Sequence, residues 1–287
     1  MEKLESIKCP LCGSKDEKFL FSRDGFNVVQ CRRCELVYIN PRLKSNVLEE
    51  LYNTNEISPE QYYEANIPQD TKNFKRRLKL ISKYHPGIGK ILDIGCNIGT
   101  LLKVAKDQGW DTAGVEFNKS AAAFGRKRFG VEIQDKDFMK IKFSPNSFDV
   151  VVMNDVIEHV TNPVETLNEV RRILKKGGLL FMSTPNIGAL LPKMTKSKWL
   201  HMKPNEHLTY FTPKTIKVLL DKTGFKMKGW QSIGRVRSLE TMLIKSQSYS
   251  KLPYAVSKVM PRKIRESISF YIDPRDEMAV FAVKESF

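Results

Sequence analysis

The sequence predicts an α/β protein: a parallel, doubly wound sheet preceded by a small metal-held module. Two observations carry that prediction. From residue 90 onward, apolar runs of strand length alternate with amphipathic stretches of helix length, the order that builds a parallel sheet covered on both faces. Ahead of them, Cys9 and Cys12 are followed after eighteen residues by Cys31 and Cys34, a spacing typical of metal ligands. A length of 287 residues suffices for one large domain and a small one.

The amino-terminal module is assigned residues 1–42. Cys9-Pro10-Leu11-Cys12 and Cys31-Arg32-Arg33-Cys34 each form a tight knuckle with both thiolates pointing one way, and two knuckles complete a tetrahedral zinc site. Between them, Phe19-Leu20-Phe21, a turn at Asp24-Gly25, and Phe26 to Gln30 read as a hairpin. Four sulfur ligands leave no open position, so the Zn2+ is structural and activates no water. A redox dithiol or two unrelated pairs are the alternatives; in a reducing compartment disulfides are not expected. Leu36 to Arg42 is a strand ending at Pro41. Residues 43–70 are polar, with breaks at Ser58-Pro59 and Ile67-Pro68. They are expected to be a linker with one short helix near Asn46 to Tyr52. Thr71 to Tyr84 carries apolar residues at 74, 78, 81 and 84, a helical stripe leading into the main domain, 71–287.

Lys90 to Ile94 is that domain's first strand, followed by the turn Gly95 to Gly99 and a helix from Leu101 to about Gln108. Ala113 to Glu116, Val131 to Gln134, Phe148 to Met153 and Leu179 to Ser183 are the next strands. Asn118 and Asn162-Pro163 open the helices between them. Ligands of such sheets sit beyond the carboxyl ends of the strands. There the sequence places Asp93, Gly95 and Gly99, Glu116, Asp137, and Asn154 with Asp155. Glu116 suits both hydroxyls of a ribose, and Asp137 with Phe138 suits an adenine amine and ring. No Lys-Ser/Thr follows the glycines, which excludes a P-loop, and Cys96-Asn97-Ile98 lacks the central glycine usual in NAD enzymes.

Together these residues resemble the class I S-adenosylmethionine-dependent methyltransferases over roughly residues 75–287. Leu92 to Thr100 resembles their first motif, which sets Asp93, Gly95, Cys96 and Gly99 at the methionine end of the cofactor; Asn97 stands where many members have glycine. Gly114-Val115-Glu116-Phe117 resembles the ribose motif and Asp137-Phe138 the adenine motif. Ser147 to Val151, Ile157-Glu158-His159-Val160 and Arg172 to Leu180 resemble the stretches that follow, with Asn154 on the cofactor. The resemblance implies a Rossmann-like seven-stranded sheet. Its sixth strand would be Phe225 to Trp230 and its last, antiparallel, Met278 to Lys284, with an insertion at about 238–272 shaping the substrate pocket. The ribbon with Leu36 to Arg42 resembles the zinc module of a small-molecule branch found near sugar and polysaccharide pathways.

Asp155, Glu158 and His159, spaced i, i+3, i+4, share one face if a helix starts after the fourth strand. His159 is then a general-base candidate. The ubiquinone-type O-methyltransferases, which this stretch resembles, hold a divalent metal such as Mg2+ with acid, acid and His here. The alternative is that His159 packs beside the cofactor and Glu158 caps a neighbour. His207 and Tyr210 lie in a loop resembling the family's lid and are expected to face the acceptor, or else to cap and to pack. Trp199 and Trp230 read as core or rim residues.

Lys plus Arg is 48 against 32 acids, and from Pro192 on there are 19 basic and 8 acidic residues. This suits RNA, a phosphate-bearing substrate or an acidic lipid surface, or is a solvated face. Lys251 to Ile272 is amphipathic and basic, broken at Pro261. It suits peripheral membrane contact and a lipid-linked acceptor, or packs on its own domain. Apolar runs are strand-sized, which excludes a spanning helix, and the opening residues lack a signal-peptide pattern, so a cytoplasmic location is expected. The expected activity is methyl transfer to a small-molecule or sugar hydroxyl. An RNA methyltransferase and a non-catalytic zinc-ribbon scaffold are the alternatives. Against RNA stands the lack of aromatic-basic interleaving; against a scaffold stand Asp93, Glu116 and Asp137.

Overall fold

The ribbon hairpin forms where the apolar residues and the Asp24-Gly25 turn place it. In the computed structural model, which describes residues 3–54, 59–246, 257 and 259–285, β1 (Leu4–Glu5) precedes β2 (Glu17–Arg23) and β3 (Phe26–Cys31). β4 (Val37–Ile39) extends that sheet antiparallel to β3, and β5 (Arg42–Leu43) pairs with β1. Next come α1 (Ser45–Thr54) and α2 (Pro59–Tyr84). The expected linker is thus largely helical, and α2 runs through Pro68 rather than starting at Thr71. Pro59 at its start has no N–H to waste. The single bond lost at Pro68 is outweighed by the buried Leu78 and Ile81 further along, because packing rather than propensity decides helix stability.

The main sheet is built from β6 (Lys90–Ile94), α3 (Thr100–Lys106), β7 (Asp111–Val115), α4 (Lys119–Phe129), β8 (Ile133–Gln134), β9 (Phe148–Asn154), α5 (Pro163–Ile173) and β10 (Leu174–Pro185). After it follow α6 (Leu190–Thr195), β11 (Thr209–Tyr210), α7 (Pro213–Lys222) and β12 (Phe225–Ser232). β13 (Arg235–Ser238), α8 (Leu239–Ser246), α9 (Arg262–Ser267), β14 (Ser269–Ile272) and β15 (Glu277–Lys284) complete the chain. The seven strands lie in the order β12-β15-β10-β9-β6-β7-β8, with β15 antiparallel to both neighbours. The central strands are buried on both faces, so they read as unbroken apolar runs such as Val150 to Met153. Leu92, Val151 and Leu180 pack on the α5 and α7 side; Ile91, Val150 and Phe181 pack against α2 and α3.

The ribbon does not stand apart. β11 joins it as a fourth strand, in the order β11-β4-β3-β2, with Tyr38 opposite Thr209 and Val37 opposite Tyr210. Cys9, Leu11, Cys31 and Tyr38 share one core cluster with Phe211, Ile216 and Leu220. Lys222 Nζ donates to the Leu11 carbonyl at 2.7 Å and Arg42 Nη1 to that of Thr161 at 2.8 Å. A two-residue strand has no periodicity to read, which is why this pairing escapes the sequence.

Within the insertion, Lys251 to Val256 and Lys258 lie outside the described residues. The described part inverts the expected pattern: Arg265 is buried against Glu240, while Val259 is 91% and Ile264 47% exposed. No helix among the described residues is long and apolar enough to cross a membrane.

Candidate functional site

Parallel strands β6, β7 and β9 end side by side, so their carboxyl termini frame a crevice. Asp93 opens it. Its side chain is 2% exposed, and Oδ1 has no hydrogen-bond partner. Burial, seconded by Glu116, pushes its pKa up to about 8 against the pull of Arg77. Gly95 has φ 71°, and a Cβ there would lie 2.5 Å from Val156 Cγ2, so the turn has room only for bare backbone. Asn97, in place of the usual glycine, takes φ 50°, a region Asn tolerates better than most residues. Glu116 is half-buried and accepts the Asn97 and Asn118 N–H groups, each at 2.8 Å. A carboxylate has about four acceptor sites, so two remain for the ribose hydroxyls. The neighbouring Phe117 is half-buried.

Two expected cofactor contacts change character. Cys96 turns its thiol into a packed cluster with Leu102, Ala122 and Ile133 and offers the crevice no side chain. Phe138, 7% exposed, packs in the main core with Val115 and Ile141 rather than standing open to cover a ring. Asp137 begins the short 3-10 turn Phe138–Lys140, its Oδ1 accepting the Met139 N–H at 2.9 Å.

Arg77 is the residue that sequence reading missed. It lies on α2 beside the apolar stripe, is 3% exposed, and its Nη1 donates to Asn154 Oδ1 at 2.5 Å. Asn154 Nδ2 has no partner. Burial, seconded by Arg235, lowers the pKa of Arg77, while Asp155, Glu277 and Asp70 offset its charge. An arginine flanking a helical stripe is the only sequence signal of it, and a weak one.

The acid-acid-His segment is not a helix. β9 ends at Asn154, Asp155 takes φ 54°, and a turn carries Ile157 to His159. Asp155 therefore leaves the expected set. It accepts from Ser183 Oγ at 3.0 Å and pairs with Arg235, and although burial raises its pKa, Arg235 and Arg77 hold it below the ordinary carboxylate range. Glu277 shares Arg235 at 2.7 Å. Glu158 is 1% exposed; burial and the nearby Asp155 push its carboxyl well above the ordinary carboxylate range. Its Oε2 accepts from Thr184 Oγ1 at 2.9 Å and its Oε1 has no partner. Its carbonyl accepts the N–H groups of Leu208 and Thr209, tying the turn to β11.

That tie brings His207 into the site. His207 is 6% exposed and stands edge-on to His159, ring centroids 4.6 Å apart. Burial, then His159, pushes its pKa down to about 2, and its Nδ1 has no partner. His159 Nδ1 lies 3.0 Å from the Glu206 carbonyl, which places the ring proton on Nδ1 and the lone pair on Nε2. Burial lowers the pKa of His159 too. One ligand atom from each of Glu158, His159 and His207 lies within 4.8 Å of the others, a set able to hold a divalent ion. Tyr210 does not face an acceptor: it is 1% exposed, packed near Trp199, and its hydroxyl accepts the Lys203 N–H at 3.2 Å. Trp199 is core, with Nε1 on Asp276 at 2.7 Å, and Trp230 is half exposed.

In the ribbon, Cys9 Sγ lies 3.5 Å from Cys34 Sγ and Cys12 Sγ 3.5 Å from Cys31 Sγ, with all four sulfurs within 4.8 Å. Zinc bonds of ~2.3 Å in a tetrahedron put sulfurs roughly 3.8 Å apart, so the four fit that ion. Burial pushes the Cys9 thiol up to about 11.

Residues 63–228 match the methyltransferase domain family. A ubiquinone biosynthesis O-methyltransferase of Aliivibrio fischeri (strain MJ11) is 25% identical over 152 residues, 49% of this chain and 65% of that enzyme. The chain thus spans less than two thirds of that relative's length. Among solved structures, a Thermotoga maritima S-adenosylmethionine-dependent methyltransferase superposes with TM-score 0.54 at 18% identity, covering 83% of this chain and 100% of the other. One from Archaeoglobus fulgidus gives 0.52 at 20% identity, over 78% and 99%. With more than half of its residues matched, and the crevice at the ends of β6, β7 and β9 lined as described, the chain belongs to the methyltransferase domain family and has the class I S-adenosylmethionine-dependent fold.

Proposed function

We propose that the protein transfers a methyl group from S-adenosylmethionine to a hydroxyl oxygen of a small-molecule acceptor, and that its four ribbon cysteines hold a structural zinc. The observation that carries the transfer reading is a buried, unpartnered carboxylate oxygen and a buried guanidinium at the strand ends, suited to a charged cofactor, with the His159 imidazole on the turn that follows β9. Asp93 Oδ1 lacks a partner that a ligand's ammonium would supply, and the Arg77 guanidinium, held to Asn154, suits its carboxylate. His159, oriented by the Glu206 carbonyl, stands beyond the next strand end.

S-adenosylmethionine supplies a methyl group on a sulfonium, which needs no activation beyond alignment. The chain's residues do the rest. Glu116 takes the ribose and Arg77 the carboxylate, while Asp93 faces the positive end. His159 Nε2 removes the acceptor's proton as its oxygen takes the methyl. Beside it, burial holds His207 neutral and disfavours a charge on Glu158. The relatives named for ubiquinone O-methylation support oxygen as the methylated atom.

A second reading rests on the unpartnered Glu158 Oε1 and His207 Nδ1: with His159 they would bind a divalent ion that lowers the acceptor hydroxyl's pKa. A mild chelator that spares the ribbon zinc separates the two. Under the first reading activity survives it; under the second it disappears and returns with added metal.

Two binding predictions follow from the crevice. Glu116→Ala should weaken both S-adenosylmethionine and its demethylated product by about 2 kcal/mol, because hydrogen bonds to a charged group are lost. Calorimetry checks this, and a preference for NADH would overturn the reading. Asp93 is mostly protonated at pH 7 with its pKa near 8. The cofactor's positive end favours the ionised form, so binding at neutral pH should release a proton. Calorimetry in buffers of different ionisation enthalpy measures that release, which should vanish well above pH 8 and in Asp93→Asn.

A further inference from the structure

A cavity of about 290 Å3 lies between α2, the end of β12 and the antiparallel β13–β14 pair, at the β12 edge of the main sheet. Arg76, Arg77, Lys79 and Lys83 line it, and no carboxylate does. Its walls are built rather than loosely apposed. Buried Asn73 clamps α2 to β13, with Nδ2 donating to the Val236 carbonyl at 3.2 Å and Oδ1 accepting the Val236 N–H at 2.6 Å. Lys72 Nζ donates to Ser269 Oγ at 3.2 Å on β14. Tyr271 lies 4.2 Å under the Arg76 guanidinium, and its hydroxyl accepts the Gly234 N–H at 2.9 Å. Gly234 itself is obligatory: a Cβ there would stand 2.1 Å from the Ile272 carbonyl oxygen.

Exposed lysines on a helix usually mean a solvated face. Here they converge with a buried arginine on one concavity that holds no counter-charge, an arrangement that raises local anion concentration. Arg77 also connects the cavity to the reaction centre, because its Nη1 reaches Asn154 at the end of β9. Cavity and crevice thus share Arg77. We propose that this cavity binds the phosphate or diphosphate of a phosphorylated small molecule, and that this molecule is the acceptor. The assignment as acceptor rests on the methyl-transfer reading; the anion site itself does not. Arginine and lysine suit phosphate oxygens through charge-assisted bonds, and a volume of about 290 Å3 fits a small molecule better than a helix or duplex.

The test titrates inorganic pyrophosphate into the full chain saturated with S-adenosylhomocysteine, so that Arg77 is already engaged by the cofactor's carboxylate. Binding is expected, and Lys79→Glu with Lys83→Glu should weaken it by about tenfold or more while leaving S-adenosylhomocysteine affinity and the melting temperature unchanged. The same charge reversal at Lys193 on α6 and Lys196 just after it, outside the cavity, should leave pyrophosphate binding intact. No binding of pyrophosphate, or an equal loss in both double variants, overturns the site. Binding to phosphatidylglycerol vesicles without binding to pyrophosphate overturns it in favour of a lipid surface. If S-adenosylhomocysteine fails to bind, the methyl-transfer reading falls, while the pyrophosphate titration still decides the cavity.

Discussion

Replacing Cys31 and Cys34 together by serine is expected to cost the protein its zinc and with it the folded ribbon. Metal analysis should find about one zinc per native chain and none in the double variant. Structural zinc sites supply apparent binding energies of about 10 kcal/mol or more, which exceeds the margin by which most domains are stable. The damage should not stop at the ribbon. β4 carries β11, Cys9 and Cys31 share a core cluster with Phe211 and Ile216, and β11 follows directly on His207. Hydrogen exchange should therefore rise across residues 207–211 as well as 9–34. A variant that is metal-free, melts with the native protein and keeps those amides protected would refute the structural zinc.

Substituting His159 by alanine is expected to lower the methyl-transfer rate by about 10²–10⁴-fold, the usual contribution of a positioned general base. Cofactor affinity should change little, since Asp93, Glu116 and Arg77 are untouched. The pH profile gives the sharper check. Burial lowers the His159 pKa from its ordinary value of 6.5, so the imidazole is neutral and competent at pH 7. As pH falls it protonates and the base is lost, so the acidic limb of the rate should lie below 6.5, with a plateau above it. The alanine variant should lack that limb. A variant that keeps the limb but binds S-adenosylmethionine poorly would make His159 a packing residue beside the cofactor.

How far these residues were legible depended on the range of the interaction that uses them. Asp93 and Glu116 sit at the ends of strands whose apolar runs are local signals, so their position in the crevice followed from the pattern. The role imagined for Asp155 failed because it assumed a helix. Its true partner, Arg235, lies eighty residues on and reaches it only because β13 folds over the end of the sheet. His207 was expected at the acceptor site for its loop, but its contact with His159 exists only because the Glu158 carbonyl accepts the N–H groups of Leu208 and Thr209. Tyr210 lies on β11, whose two residues are both buried, and it packs near Trp199 instead.

The sequence by itself determined the alternating strands and helices of the main sheet, the two paired cysteine motifs, and the acids at the strand ends. Each is a matter of spacing along the chain, written in apolar period, glycine placement and ligand separation. The tertiary structure alone decided that the ribbon is joined to the main domain through β11, that Arg77 brings a buried guanidinium to the crevice, and that Glu158, His159 and His207 form one cluster without Asp155. Those are contacts between residues tens of positions apart. Such contacts depend on how packed layers bring separate elements together, and a linear pattern carries no record of that distance.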